Sequence, residues 1–244
     1  MHAETIERLR DDKDYYGDFG KQYMSNSDIG TLLTNPKQYG VSLPDNANFA
    51  KGRYFHQLIL EPSKAENVRF VDSSSRNTKV YKEYCVENDV LFALLDKEGE
   101  ELRKLVTVLI GNLDMYDLIR NPNNNYEVPA IAEIKGVMWK GKADIVHPDM
   151  VIDIKTTSKI EDFKWSARKY NYDSQCYIYQ KLFGKPLIFV VIDKTNGMMG
   201  IYRPTEEFVK GGEFKVEKAI EVYNKFYSTD AELDIETFYY DEFL

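Results

Sequence analysis

The run Gly141-Lys142-Ala143-Asp144-Ile145-Val146-His147-Pro148-Asp149-Met150-Val151-Ile152-Asp153-Ile154-Lys155-Thr156-Thr157 reads as two strands joined by a turn. Ile152 and Ile154 alternate with Asp153 and Lys155, the period of a strand with one apolar face. Ala143 to Val146 is strand-like too, and His147-Pro148-Asp149 between them is turn chemistry. Folding the run between Pro148 and Asp149 sets Asp144 across from Asp153 and Ile145 across from Ile152. Like charges directly opposite each other destabilise a sheet. A hard cation between the two carboxylates removes the repulsion, and Mg²⁺ favours one or two carboxylates plus waters and phosphate oxygens. Lys155 lies two residues beyond Asp153 and shares its face. Two acids, a lysine and a divalent ion on one hairpin have the chemistry of phosphodiester cleavage. The plainer reading is a solvated, charged sheet face, because short motifs often match by accident.

The chain has 244 residues, 43% hydrophobic and 30% charged, which fits a soluble globular protein. Its charged N-terminus, Met1 to Tyr16, lacks the apolar core of a signal peptide. The longest apolar run, Leu187 to Ile192, is too short to span a bilayer, so no membrane partner is expected. Two cysteines, Cys85 and Cys176, cannot form a four-thiolate metal site or a disulfide scaffold, and a cytoplasmic location is the expectation. The net charge of -8 opposes nucleic-acid binding when taken alone. Its distribution does not: Lys135 to Lys169 holds eight basic and five acidic residues, a net of +3 against -11 elsewhere.

The chain begins with a short helix and a tyrosine-rich lead, followed by a helix that Ser25-Asn26-Ser27-Asp28 caps and Asn35-Pro36 ends. A second helix runs over Ala50–Leu60 and carries His56, and residues 63–78 read as a polar loop. Lys79–Asn88 and Lys97–Ile119 are helical by periodicity. Strands start at Tyr126, turn at Gly136 and return over Val137–Val146 into the opening hairpin. Ile160–Phe183 is helical with a break near Asn171. Pro186–Asp193 and Met198–Tyr202 are strands joined at Thr195-Asn196-Gly197, and Thr205–Tyr227 is a closing helix. This order predicts one α/β domain, a mixed central β-sheet flanked by helices. Residues 1–122 form a mainly helical part, 123–228 the α/β core and 229–244 an acidic tail.

Several residues carry two readings. His56, a single histidine in an apolar helix, reads on its own as a packed helix residue. Glu127 and Glu133 supply a further carboxylate or are surface acids. Lys142, across from Lys155 in the symmetric hairpin, contacts phosphate or guards a strand edge. Arg76 and Lys79 hold a 5′-phosphate or are mobile surface charges.

Ser25 to Tyr39, Gly52-Arg53-Tyr54-Phe55-His56, Leu60-Glu61-Pro62, Ala143-Asp144, Asp153-Ile154-Lys155-Thr156-Thr157 and Gln175 to Tyr179 occur in one order. In these segments the chain resembles the PD-(D/E)xK nuclease superfamily. Within it, the likeness is to RecE-type exonucleases (exodeoxyribonuclease VIII-like), related to the RecB and lambda exonuclease families. The resemblance implies a restriction-endonuclease-like core behind an N-terminal helical layer. It implies that His56, Asp144, Asp153 and the carbonyl of Ile154 hold Mg²⁺ or Mn²⁺ and that Lys155 orients the attacking water. Gln175 and Tyr179, four apart on one helix face, would brace the site and touch the DNA end; the alternative is half-buried amphipathic packing. The implied activity is a 5′ to 3′ exonuclease on linear double-stranded DNA. Its 3′ single-stranded tails would pass to recombination and a single-strand annealing protein, and the enzyme would be a homo-oligomeric ring. An endonuclease, the nuclease part of a repair complex, or a catalytically inactive DNA-binding module are the alternatives. No GxxxxGK[ST] loop is present, so the chain is not itself a motor.

Overall fold

The protein, a computed structural model, is described over residues 2–41 and 45–240. The helical part comprises α1 (His2–Arg8), α2 (Asp12–Tyr16), α3 (Asn26–Thr34), α4 (Ala47–Leu60), α5 (Pro62–Ala65), β1 (Phe70–Val71), α6 (Lys79–Glu87), β2 (Leu94–Leu95), α7 (Asp96–Gly111) and α8 (Leu113–Ile119). The sheet part comprises β3 (Asn125–Ile134), β4 (Val137–Val146), β5 (Val151–Thr157), α9 (Phe163–Lys169), α10 (Tyr172–Phe183), β6 (Leu187–Asp193), β7 (Met199–Tyr202) and α11 (Glu206–Phe226).

The five long strands form one mixed sheet in the order β3-β4-β5-β6-β7. Only β5 and β6 run parallel; the other neighbours are antiparallel. The parallel pair needs a crossover, and α9 and α10 supply it. Leu187, Phe189 and Val191 of β6 enter one core with Ile29, Leu32, Phe163, Ile178 and Val216. Ile188, Val190 and Ile192 enter the opposite core with Phe55, Leu105, Leu109 and Ile119. A central strand covered on both faces must be apolar at every position, which explains the continuous run. Each such side chain contributes roughly 1.5–3 kcal/mol when fully buried.

Local chemistry sets the element ends. Ser25 and Asp28 form a capping box at the start of α3. Lys135 (φ 52°) and Gly136 (φ 81°) both have positive φ, as a two-residue turn between β3 and β4 requires. The helical region Lys97–Ile119 is two helices, because the Asn112 side chain accepts from the Met115 N–H and starts α8 anew. The polar stretch 63–78 is not only loop: it holds part of α5 and β1, which pairs parallel with β2.

Asn171 divides α9 from α10 in the left-handed conformation (φ 58°). After α11 the chain continues as irregular backbone, tied back near α3 by Lys37–Glu236 at 2.7 Å and by the Tyr240 hydroxyl donating to the Thr34 carbonyl. The last residues of the acidic tail, 241–244, lie outside the described residues. No helix among the described residues is long and apolar enough to cross a membrane.

Candidate active site

The site lies where β4 and β5 part. Their ladder consists of Ile145↔Ile152 and Val146↔Val151, the register that the symmetric turn demands. It stops before Asp144 and Asp153. The main-chain N–H of Ile154 instead donates to Asp144 Oδ2 at 2.7 Å. The strands splay because one carboxylate has replaced the next carbonyl in the ladder.

The neighbour on the other side is disturbed at the same level. The β3–β4 ladder runs through Tyr126↔Ile145 and Val128↔Ala143 and omits Glu127 and Asp144. Glu127 has φ 48°, a conformation that a residue with a Cβ adopts only where its surroundings hold it there. Ala143 packs into the α10-side core, whereas Ile145, two residues on, packs into the α4-side core. The strand alternation therefore slips by one at Asp144. No residue type in Ala143 to Val146 signals this slip.

From α4, His56 Nδ1 stands 3.4 Å from Asp144 Oδ1. Its side chain is 27% exposed, so the ring is accessible at one edge. Ligand atoms of His56, Glu127 and Asp144 lie within 4.8 Å of one another. This is the geometry of a cation site, with a nitrogen and two carboxylates as donors. A Cβ at Gly52, one turn before His56, would meet nothing within 4 Å.

Asp153 is held differently. Its Oδ1 accepts from Gln175 Nε2 at 2.6 Å, and its Oδ2 is 2.6 Å from Lys155 Nζ. Asp144, Asp153 and Gln175 are all buried, and the Lys155 side chain is 21% exposed. Asp153 is not one of the three close ligands; Glu127, which the sequence offered as a further carboxylate, is. A carboxylate oxygen has lone pairs enough to accept both an ammonium and an ion, so Asp153 still has capacity for a cation.

The protonation states carry the same message. Burial pushes Glu127 up to about 8, with the Asp144 and Glu61 carboxylates adding to it. Burial also raises Asp153; the Lys155 ammonium opposes this and the Asp144 charge adds to it. For His56, burial acts downward, but the Asp144 carboxylate outweighs it and lifts the imidazole to about 9. Asp144 is lowered: burial works against its charge, but His56, Lys155 and the Ile154 N–H together prevail. Burial lowers Lys155, and Asp153 more than compensates, so the ammonium is kept. Three acids are therefore crowded together with too little positive charge, an electrostatic deficit that a divalent cation would fill.

Other candidates fall into place or out of it. Tyr179 is buried and its hydroxyl donates to the Lys142 carbonyl at 2.9 Å, bracing β4 from beneath. Lys142 pairs with Pro129 of β3, and β4 is an inner strand, so Lys142 guards no edge. Its ammonium is 2.7 Å from Asp12 Oδ1, with the side chain 6% exposed. Arg76 is committed to Glu98 and lies over Phe92, so it is not a mobile charge. Lys79 is exposed beside Glu83. Glu133 pairs with Met138, well along β3 from the site.

The expected basic stripe is broken as well. Lys135 is engaged by Glu213 and Glu217, and Lys140 is buried against the Tyr15 carbonyl. One neighbour of the site went unnoticed in the sequence. Lys155 Nζ sits 4.9 Å from the centroid of the Tyr172 ring. The only signal was its place just after the break at Asn171.

A family model described as a PDDEXK-like domain of unknown function (DUF3799) matches residues 34–234, a span that holds every site residue above. No curated protein matches the chain. Among solved structures, a candidate exonuclease from Eubacterium rectale is similar at TM-score 0.64 and 18% identity, over 92% of this chain and 88% of that one. A phage-related exonuclease from Haemophilus somnus 129PT superimposes at TM-score 0.33 and 16% identity, over 63% of this chain and 88% of that one. The first likeness shows a shared fold. With the family match spanning most of its length, the chain belongs to the PDDEXK-like family.

Proposed function

We propose that the protein is a divalent-metal-dependent deoxyribonuclease, an exonuclease that hydrolyses phosphodiester bonds at the ends of linear double-stranded DNA. One observation carries this reading: Asp144 and Asp153 flank the point where β4 and β5 part, one against His56 and Glu127, the other against Lys155. The name of the Eubacterium rectale protein supports the exonuclease class. The polarity, 5′ to 3′, and the 3′ tails for recombination rest on the RecE-type resemblance. So do a homo-oligomeric ring and a single-strand annealing partner.

The donor set suits Mg²⁺ or Mn²⁺: mostly hard oxygens with one imidazole nitrogen. His56, Glu127 and Asp144 would hold the ion, with Asp153 and the Ile154 carbonyl completing it. Bound there, such an ion polarises the phosphoryl group and lowers the pKa of a water. The residues do the remainder. Asp153 holds the Lys155 ammonium in place, and Gln175 holds Asp153. Lys155 orients the attacking water and stabilises charge that grows on the phosphoryl oxygens. Tyr179 acts at one remove by fixing β4 through the Lys142 carbonyl.

The test is an end-labelled linear duplex incubated with Mg²⁺ or Mn²⁺, beside a covalently closed circle of the same sequence. Release of nucleotides from the linear DNA, an intact circle, and loss of both metal dependence and cleavage in Lys155→Ala are expected. Nicking of the circle favours the endonuclease reading. No cleavage at any enzyme concentration, with DNA still bound, favours the inactive binding module. Light scattering at working concentration tests the ring, and a monomer defeats it.

A further inference from the structure

A chain of aromatic rings leads from Lys155 to solvent. Tyr172 lies under the Lys155 ammonium at 4.9 Å and is itself wedged between Phe163 and Phe189, at 5.8 Å and 5.4 Å between ring centroids. The Tyr170 ring is 6.0 Å from Tyr172, tilted by 39°, and is 59% exposed. Among the described residues Tyr172 is thus the step between the site and an uncovered aromatic surface.

The arrangement is built rather than incidental. Two tyrosines separated by one residue within a helix would point about 200° apart. They meet because Asn171 between them is left-handed. That conformation costs energy for a residue with a Cβ. Three contacts fix it: the Asn171 carbonyl accepts from Asn26 Nδ2 at 3.1 Å and from Ser174 Oγ at 2.9 Å, and its side-chain oxygen accepts from Lys215 Nζ at 2.9 Å. Partners from α3, α10 and α11 thus hold one kink.

The surface around Tyr170 has the charge to match a phosphate chain. Between residues 158 and 170 there are four cations, Lys159, Lys164, Arg168 and Lys169, against Glu161 and Asp162, in a chain of net charge -8. All four cations are exposed. Lys159 is paired with Asp162 and Arg168 lies 3.7 Å from Glu207, which leaves Lys164 and Lys169 as the cations of this segment with no carboxylate partner among the described residues. Exposed aromatic faces with cations around them are how proteins hold unpaired bases: the rings stack and the charges follow the backbone.

We infer that Tyr170, backed by the packed Tyr172 ring, forms a stacking surface for an unpaired base of the substrate strand next to the reacting phosphate. The inference rests on the nuclease reading and adds the substrate form: frayed or overhanging ends bind better than blunt ones. Duplex DNA, with its bases already stacked on each other, offers nothing for Tyr170 to stack on.

Binding measured without cleavage tests it. Labelled oligothymidylate and a blunt duplex of equal length are titrated into the protein in EDTA and followed by fluorescence anisotropy. Tyr170→Ala is expected to weaken oligothymidylate binding about tenfold, within the range for loss of one stacked base. It should leave the blunt duplex within about twofold. Tyr170→Trp, which restores a flat ring, is expected to recover the affinity. Tyr170 is a surface residue, so circular dichroism and melting of the variant should match the parent. Equal oligothymidylate affinity in Tyr170→Ala and parent overturns the inference, as does equal weakening on both DNAs. If the parent still cleaves linear duplex in that case, the nuclease reading stands alone; a parent that neither binds nor cleaves DNA overturns both.

Discussion

The Ile154 N–H donates to the Asp144 carboxylate at 2.7 Å, across two strands whose ladder has ended one residue earlier. One hydrogen bond ends the sheet pairing, turns the second Asp144 oxygen toward His56 and Glu127, and leaves Asp153 to Gln175 and Lys155. The two aspartates thereby take different neighbours although the register sets them opposite each other.

Asp144→Asn and Asp144→Ala separate charge from scaffold. The asparagine oxygen still accepts from Ile154 but loses the His56 ion pair, so its melting temperature is expected near that of the parent above about pH 9, where His56 is neutral, and lower at neutral pH. The alanine leaves a buried N–H unsatisfied, at a cost of about 1–3 kcal/mol, and should melt lower. Both variants are expected to lose Mn²⁺ binding by calorimetry and cleavage by at least about 100-fold. Tight Mn²⁺ binding in Asp144→Asn would remove this carboxylate from the ion site.

Metal-free stability should fall as pH rises. Glu127, raised to about 8 from 4.5, keeps a proton in the folded state that the unfolded chain has released, so its penalty grows between those values. His56, raised from 6.5 to about 9, contributes stability that is complete below 6.5 and lost as pH passes through 9. The two effects have the same sign and overlap between about pH 6.5 and 8, with His56 alone extending the fall to about 9. Melting in EDTA should therefore drop across that window, Glu127→Gln should flatten its lower part, and Mn²⁺ should raise the melting point most at pH 8 to 9. A melting temperature in EDTA that rises over this window would contradict the assignment.

Gln175→Ala removes the donor at 2.6 Å from Asp153 Oδ1. The freed carboxylate oxygen is buried, so the fold should lose about 1–2 kcal/mol. Lys155 would lose its fixed partner geometry, and kcat is expected to fall about 10- to 100-fold with KM for DNA little changed. A change confined to KM would make Gln175 a DNA contact instead.

Gly212→Ala probes the crossing of α10 and α11. A Cβ there would lie 2.0 Å from the Asp173 carbonyl oxygen, and backbone cannot yield as a side chain does. Destabilisation above about 3 kcal/mol is expected, read by urea unfolding. Unchanged stability would mean that the two helices pack further apart than described.

The strand and helix pattern of the catalytic half was legible in the chain because each element carries its own local signal. The alternation at Ile152–Lys155, the turn at His147–Asp149, the apolar run Leu187–Ile192 and the caps at Ser25 and Asn35 act over a few residues. The hairpin register followed from the turn, and the observed pairs Ile145↔Ile152 and Val146↔Val151 have it. The break at Asn171 was visible as well, although not the kink it makes.

What the sequence by itself determined was the set of chemical groups on the hairpin and the order in which they would meet the sheet, since period and turn length are properties of adjacent residues. Only the tertiary structure decided which carboxylate faces which cation. Glu127 joins His56 and Asp144 because a left-handed residue in β3 and a splayed β4 bring together groups 71 and 17 positions from it in the chain. Lys142 is drawn to Asp12, and Tyr172 lies beneath Lys155, through packing of segments remote in sequence. Such contacts depend on whole elements docking, and no local pattern of residues encodes them.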